Sequence, residues 1–151
     1  MRVLFLSTPG VGHLFPLVPL AGAIRAAGHD VLLTTYASGH LLANAGLHVV
    51  DPSPGTSPRE VFERAMADAD PSLLSVVRSG AAIRDDTPFL PMFAGINRPL
   101  IDGGVAVAER WRPDLVIYSQ LTAAGPLVAA RAGVPSVQVN FGIGRAAGLQ
   151  G

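Results

Sequence analysis

The chain has 151 residues, 49% of them hydrophobic, with 11 basic and 11 acidic side chains and no cysteine. That length suits one domain with its own core, since such a domain buries roughly 70% of the surface its unfolded chain exposes. Balanced charge excludes the electrostatic footprint of a nucleic-acid or anionic-membrane binder, and the missing thiols exclude disulfides, thiolate metal sites and a cysteine nucleophile.

The order of elements begins with Val3 to Leu6, a continuous apolar run of the kind covered on both faces of a parallel sheet. It stops at the small turn Ser7-Thr8-Pro9-Gly10-Val11-Gly12, followed at once by His13. A helix is predicted from Phe15 to Ala27, with Leu17, Leu20, Ala21, Ile24 and Ala27 at helical spacing and Gly28 as its stop. Asp30 to Thr35 reads as the second strand, Ser38 to Ala45 as a short helix, and Leu47 to Val50 as the third strand.

The rhythm then breaks into an excursion over residues 52–90. Pro52-Ser53-Pro54-Gly55-Thr56 is a loop by composition. Ser57-Pro58-Arg59-Glu60 is a helix start, with Ser57 as N-cap, Pro58 in the first turn and Glu60 reaching back. That helix carries Val61, Phe62, Ala65 and Met66 inward, and a second helical stretch runs through Leu73 to Val77. From Pro91 to Trp111 a long helix is expected, striped with Phe93, Ile96, Leu100, Ile101, Val105 and Ala108 and kinked at Pro99. Asp114 to Tyr118 is the fourth strand, Thr122 to Ala132 a helix ending at Gly133, and Pro135 to Val139 the fifth strand.

Alternating strands and helices predict an α/β fold: a doubly wound, Rossmann-like parallel sheet of order 3-2-1-4-5 with right-handed crossovers. Its switch point falls between strands 1 and 4, where ligands bind at the carboxyl edge. Residues 1–141 form this domain and residues 142–151 a loop or linker. The first residues do not read as a signal peptide, because Gly10, Gly12, His13 and Pro16 interrupt the apolar run. No stretch reaches the ~20 apolar residues of a membrane span, so a cytoplasmic protein is expected.

His13 is the first candidate for chemistry. Backbone N–H groups at the start of a helix carry partial positive charge, which disfavours imidazolium and keeps the ring able to accept a proton near pH 7. The plain alternative is a histidine that caps the helix. Gly10-Val11-Gly12 invites a dinucleotide reading, but Phe15 stands where the third glycine belongs and Thr34 and Thr35 stand where an acidic residue would follow strand 2. Gly10 and Gly12 are read instead as allowing another molecule close to the backbone. Every basic residue is arginine, which excludes a P-loop lysine and Schiff-base chemistry.

Ser119 and Gln120 follow strand 4, across the switch point from His13. They either orient the imidazole or bind a ligand hydroxyl, and Ser119 would serve equally as a helix cap. Asn140 and Phe141 close strand 5 with the same two roles open. Phe62, Met66, Leu73, Leu74, Phe89, Met92 and Phe93 cluster in and around the excursion and together suit an apolar pocket beside His13. His29, His40 and His48 show no metal-ligand spacing on one helix face, so no metal is expected.

The block Gly10-Val11-Gly12-His13-Leu14-Phe15-Pro16-Leu17, with Ala26-Ala27-Gly28-His29-Asp30-Val31, resembles the N-terminal half of GT-B glycosyltransferases of family 1. The likeness is to actinobacterial enzymes that attach deoxysugars to polyketide, enediyne and macrolide aglycones. Asn97-Arg98-Pro99-Leu100, Arg112-Pro113-Asp114-Leu115-Val116 and Ala132-Gly133-Val134-Pro135 match that subgroup too. The resemblance implies that His13 is a general base acting on an acceptor hydroxyl. It also implies an acceptor pocket built by the excursion and the long helix, and a metal-independent, inverting displacement at the anomeric carbon. The co-substrate would be a nucleotide sugar, a dTDP-deoxysugar in particular, and the partners a small apolar aglycone and that nucleotide sugar. No other cofactor is implied, and a homodimer stays open. Many such enzymes carry an acidic residue after strand 4 to steady the histidine. Here that place holds Ser119, which leaves either Ser119 itself or a carboxylate such as Asp85 or Asp86 for the task. Nothing after Gly133 resembles the histidine- and glycine-rich diphosphate motif of the C-terminal domain. The chain therefore reads as the acceptor half of an enzyme, or as an aglycone-binding module that does no chemistry.

Overall fold

The first strand, β1 (Arg2–Leu6), divides its side chains between two cores, because successive residues of a strand point to opposite faces. Val3 and Phe5 join Leu14, Leu17 and Ala21 on one face; Leu4 and Leu6 join Leu100, Ala108 and Val128 on the other. The computed structural model describes residues 1–37, 39–43, 45–68 and 90–140.

Five parallel strands form one sheet. β1 lies between β2 (Asp30–Thr34) and β4 (Leu115–Ser119). The outer positions belong to β3 (Val49–Val50), which pairs with β2, and β5 (Ser136–Val139), which pairs with β4. The order is 3-2-1-4-5, as the alternation of elements predicts. Leu4 stands in register with both Leu32 and Val116, so the middle strand has apolar neighbours on both sides at its centre.

The helix expected from Phe15 to Ala27 is observed over Leu17–Ala26, and a separate four-residue helix that the sequence did not suggest precedes it. α1 (Val11–Leu14) ends at Phe15, and α2 (Leu17–Ala26) starts after Pro16. Pro16 and Pro19 have no N–H to return to the preceding turn, and the Phe15 carbonyl instead accepts from Val18 N at 3.1 Å. Of the expected α2 stripe, Leu17 and Ala21 are buried, Ile24 is half-buried, and Leu20 and Ala27 face outward. The short α3 (His40–Ala43) is narrower than predicted, and β3 keeps only two residues, leaving His48 exposed just before it.

The excursion opens with α4 (Pro58–Ala67), capped by Ser57, whose hydroxyl accepts from Glu60 N at 3.3 Å. The predicted stretch 73–77 lies outside the described residues. α5 (Leu90–Trp111) is continuous through Pro99. Leu100 and Ala108 are buried as the stripe required, and so are Asn97 and Gly104, which the stripe omitted. Closeness explains Gly104, since a β-carbon there would stand 3.0 Å from Leu6 and 3.1 Å from Val128. α6 (Ala124–Ala132) ends at Gly133 with φ 69°, the left-handed stop that glycine adopts without strain. α2 and α3 thus cover one face of the sheet, and α5 and α6 the other.

Candidate active site

The ends of β1 and β4 are tied by hydroxyls. Ser7 Oγ lies 3.3 Å from Ser119 Oγ, which lies 2.6 Å from Thr122 Oγ1. Thr122 Oγ1 in turn accepts from Thr8 N at 3.1 Å. All four residues are buried, so the switch point is a closed web of uncharged groups. Such a web needs no counter-ion, and each hydroxyl can act as donor and acceptor at once.

His13 projects from just beyond this web. Gly10, at φ 129°, turns the chain sharply out of the sheet, a conformation that side chains rarely tolerate. His13 N then returns to Gly10 O at 3.1 Å, and the next residue, Leu14, is fully buried beneath. Turn and anchor together hold the imidazole at the carboxyl edge. Its pKa lies below the ordinary 6.5 because burial disfavours the charged ring. The direction is the one the sequence suggested. The cause differs, since a four-residue α1 supplies little helix field and desolvation dominates.

The ring opens onto a cleft of about 260 Å³ lined by Thr8, Pro9, His13, Phe62, Met92, Phe93, Ile96 and Leu121. His13 is the one titratable side chain among those lining residues. Phe62, one of the lining residues, is 51% exposed. The sequence-derived candidates Phe62, Met92 and Phe93 therefore meet His13 in one cleft, whereas Gly10 in the turn and Gly12 in α1 are not among its lining residues.

The other candidates fall elsewhere. Met66 is half-buried on α4 and absent from the lining. Ser119 lies beneath the floor, its hydroxyl engaged by Ser7 and Thr122, and α6 starts later with Ala123 as its N-cap. Gln120 is exposed. Asn140, at the end of β5, accepts from Gln138 Nε2 at 2.7 Å and stays outside the cleft. Phe89, Leu73, Leu74, Asp85, Asp86 and Phe141 lie outside the described residues. Sequence reasoning missed Thr8, Pro9, Ile96 and Leu121 as lining groups. Their signals were present: Thr8 and Pro9 leave β1 directly, Leu121 leaves β4, and Ile96 follows Met92 by one helical turn.

Among the described residues no three His, Asp or Glu side chains gather as a metal would need, and no helix is long and apolar enough to cross a membrane.

Known proteins with this architecture share more than the fold. Residues 22–150 match the family model described as "Erythromycin biosynthesis protein CIII-like, N-terminal domain". The elloramycin glycosyltransferase ElmGT of Streptomyces olivaceus is 41% identical over 152 residues, covering 99% of this chain. The crystal structure of the glycosyltransferase SnogD from Streptomyces nogalater superposes with a TM-score of 0.73 at 37% identity, over 94% of this chain and 33% of that one. The Streptomyces glycosyltransferase SsfS6, solved with thymidine diphosphate, gives 0.69 at 32% identity, over 93% of this chain and 38% of that one. The chain spans 39% of the length of ElmGT, and its likeness is to the N-terminal part of these GT-B enzymes. On the extent of the family match, this chain belongs to the erythromycin biosynthesis protein CIII-like N-terminal domain family.

Proposed function

We propose that residues 1–141 are the acceptor-binding half of a cytoplasmic glycosyltransferase that moves a deoxysugar from a dTDP-sugar to an apolar, hydroxylated natural-product aglycone. The observation that carries this is a half-buried imidazole facing a cleft at the β1–β4 switch point whose lining, among the described residues, is otherwise uncharged and largely apolar. A cleft of that kind takes a flat or macrocyclic apolar molecule and fixes it by few polar groups. Names among its relatives, and thymidine diphosphate in SsfS6, support the same class of reaction.

In this reading His13 accepts the proton of an acceptor hydroxyl as that oxygen attacks the anomeric carbon. The new C–O bond forms on the face opposite the nucleotide, the bond from carbon to the diphosphate oxygen breaks, and the diphosphate leaves with the electron pair. Attack and departure on opposite faces invert the anomeric centre. The imidazole must be neutral to begin, and its lowered pKa keeps it so at pH 7. The excursion over residues 52–90 contributes Phe62 to the acceptor side, and the nucleotide belongs to the portion of the relatives beyond the matched region.

The test is sugar transfer from a dTDP-deoxysugar to a hydroxylated polycyclic aromatic by a chimera in which this chain replaces the matching part of ElmGT. His13→Ala should lower the rate about 100- to 10,000-fold with an unchanged circular dichroism spectrum. Undiminished turnover would remove His13 from the base role. Calorimetry on the chain alone separates the halves: aglycone binding without dTDP binding agrees with the reading, and tight dTDP binding contradicts it.

A further inference from the structure

Three carbonyl groups of the cleft wall are held by two buried side chains that never reach the cleft. Asn97 Nδ2 donates to Phe93 O at 2.8 Å and to Leu121 O at 3.0 Å. The Tyr36 hydroxyl donates to Ile96 O at 3.0 Å. Phe93, Ile96 and Leu121 all line the cleft, whereas Asn97 and Tyr36 are each 1% exposed. Asn97 Oδ1 also accepts from Ala124 N at 3.2 Å, at the start of α6, where Ala123 provides no side-chain cap. One amide thus uses both of its donors and its acceptor to join α5, the β4–α6 loop and the first turn of α6.

The helix needs such a brace at this point. Pro99 brings no N–H to the Gly95 carbonyl four residues before it. The ladder is therefore weakest between the turn that carries Met92, Phe93 and Ile96 and the stretch that Leu100, Gly104 and Ala108 hold in the core. Ordinary helix bonding leaves the angle of the cleft-bearing turn loosely specified, and hydrogen bonds from outside the ladder specify it instead. These bonds run to lining residues of two elements, Phe93 and Ile96 from α5 and Leu121 from the loop.

We infer that Asn97, assisted by Tyr36, is a positioning residue that sets the separation of the cleft walls and so selects the size and flatness of the acceptor. The inference rests on the reading of the cleft as the acceptor site. The test is titration of the chain with emodin, a flat tricyclic hydroxyanthraquinone, and with phenol as a small acceptor that touches one wall only. Asn97→Ala should weaken emodin at least about tenfold and leave phenol within about twofold. Tyr36→Phe, which keeps the ring and loses one hydrogen bond, should weaken emodin about threefold and carries the test if Asn97→Ala does not fold. Val116→Ala opens the buried core away from the cleft, and should lower the melting temperature without moving either affinity. Emodin affinities unchanged in both wall variants, or lowered as much by Val116→Ala, would overturn the inference while sparing the acceptor cleft. A wild-type chain that binds neither compound would overturn the acceptor reading itself, and this inference with it.

Discussion

The two ends of the β1–β4 pair are built from different chemistry. At the amino end, Arg2 N donates to Asp114 Oδ2 at 2.7 Å and the Arg2 guanidinium to Trp111 O at 2.9 Å, all at an exposed edge. At the carboxyl end, Ser7, Thr8, Ser119 and Thr122 are buried and joined through hydroxyl groups. Charge is inexpensive where water solvates it and costly where water is excluded. The end that carries the His13 cleft therefore closes with buried hydroxyls, and the opposite end with charged side chains that water solvates. His13 fits the contrast: at the end where water is excluded, burial disfavours its charged form and lowers the pKa.

pH should separate the two ends most decisively. Transfer by the chimera should hold its rate down to below pH 6.5 and then fall about tenfold per unit as the imidazole protonates. Stability follows the same sign. With the folded pKa below the unfolded 6.5, the unfolded chain takes up a proton first on acidification. The stability due to neutral His13 is complete above 6.5 and declines as pH falls beneath it. Urea midpoints of wild type and His13→Ala should converge or cross on the acid side, and a relative gain by wild type there would contradict the assignment.

Packing beneath the carboxyl end sets the next largest effect. A β-carbon on Gly125 would overlap the Tyr118 ring, so Gly125→Ala should cost about 1–3 kcal/mol despite alanine's better helix propensity. Urea unfolding measures it, and an unchanged or higher midpoint would show that α6 can step back from the sheet. Ser119→Ala should cost about 1–2 kcal/mol, because Ser7 and Thr122 lose a buried partner. Asp114→Ala, at the exposed amino end, should cost about 0.5 kcal/mol or less. A cost at Asp114 equal to that at Ser119 would dissolve the contrast between the two ends.

Much of the architecture was legible in the chain itself. The alternation of strands and helices, the capped start of α4 at Ser57, the stop at Gly133 and the position of His13 after the glycine turn all follow from local pattern. Those features depend on neighbours in sequence: alternation, spacing, missing N–H groups and φ preference. The short α1 escaped the pattern, because four residues are too few to show an apolar period.

Asn97 marks the limit most clearly. By composition it is a polar residue interrupting an apolar stripe, and the pattern assigned it to no face. Its burial is favourable only because two carbonyls and an amide from three separate segments converge on it. Ser119 teaches the same lesson in reverse. Its place after β4 suggested a role towards His13 or a cap, and its hydroxyl instead joins Ser7, 112 residues away, and Thr122. Sequence alone determined which stretches are strands and helices and which histidine follows the first strand, since hydrophobic period and turn chemistry are properties of short stretches. The general rule for alternating elements supplied the strand order. Which side chains face the cleft and which brace it from behind was decided by tertiary structure, because hydrogen-bond partners and solvent exclusion exist only once distant segments have met.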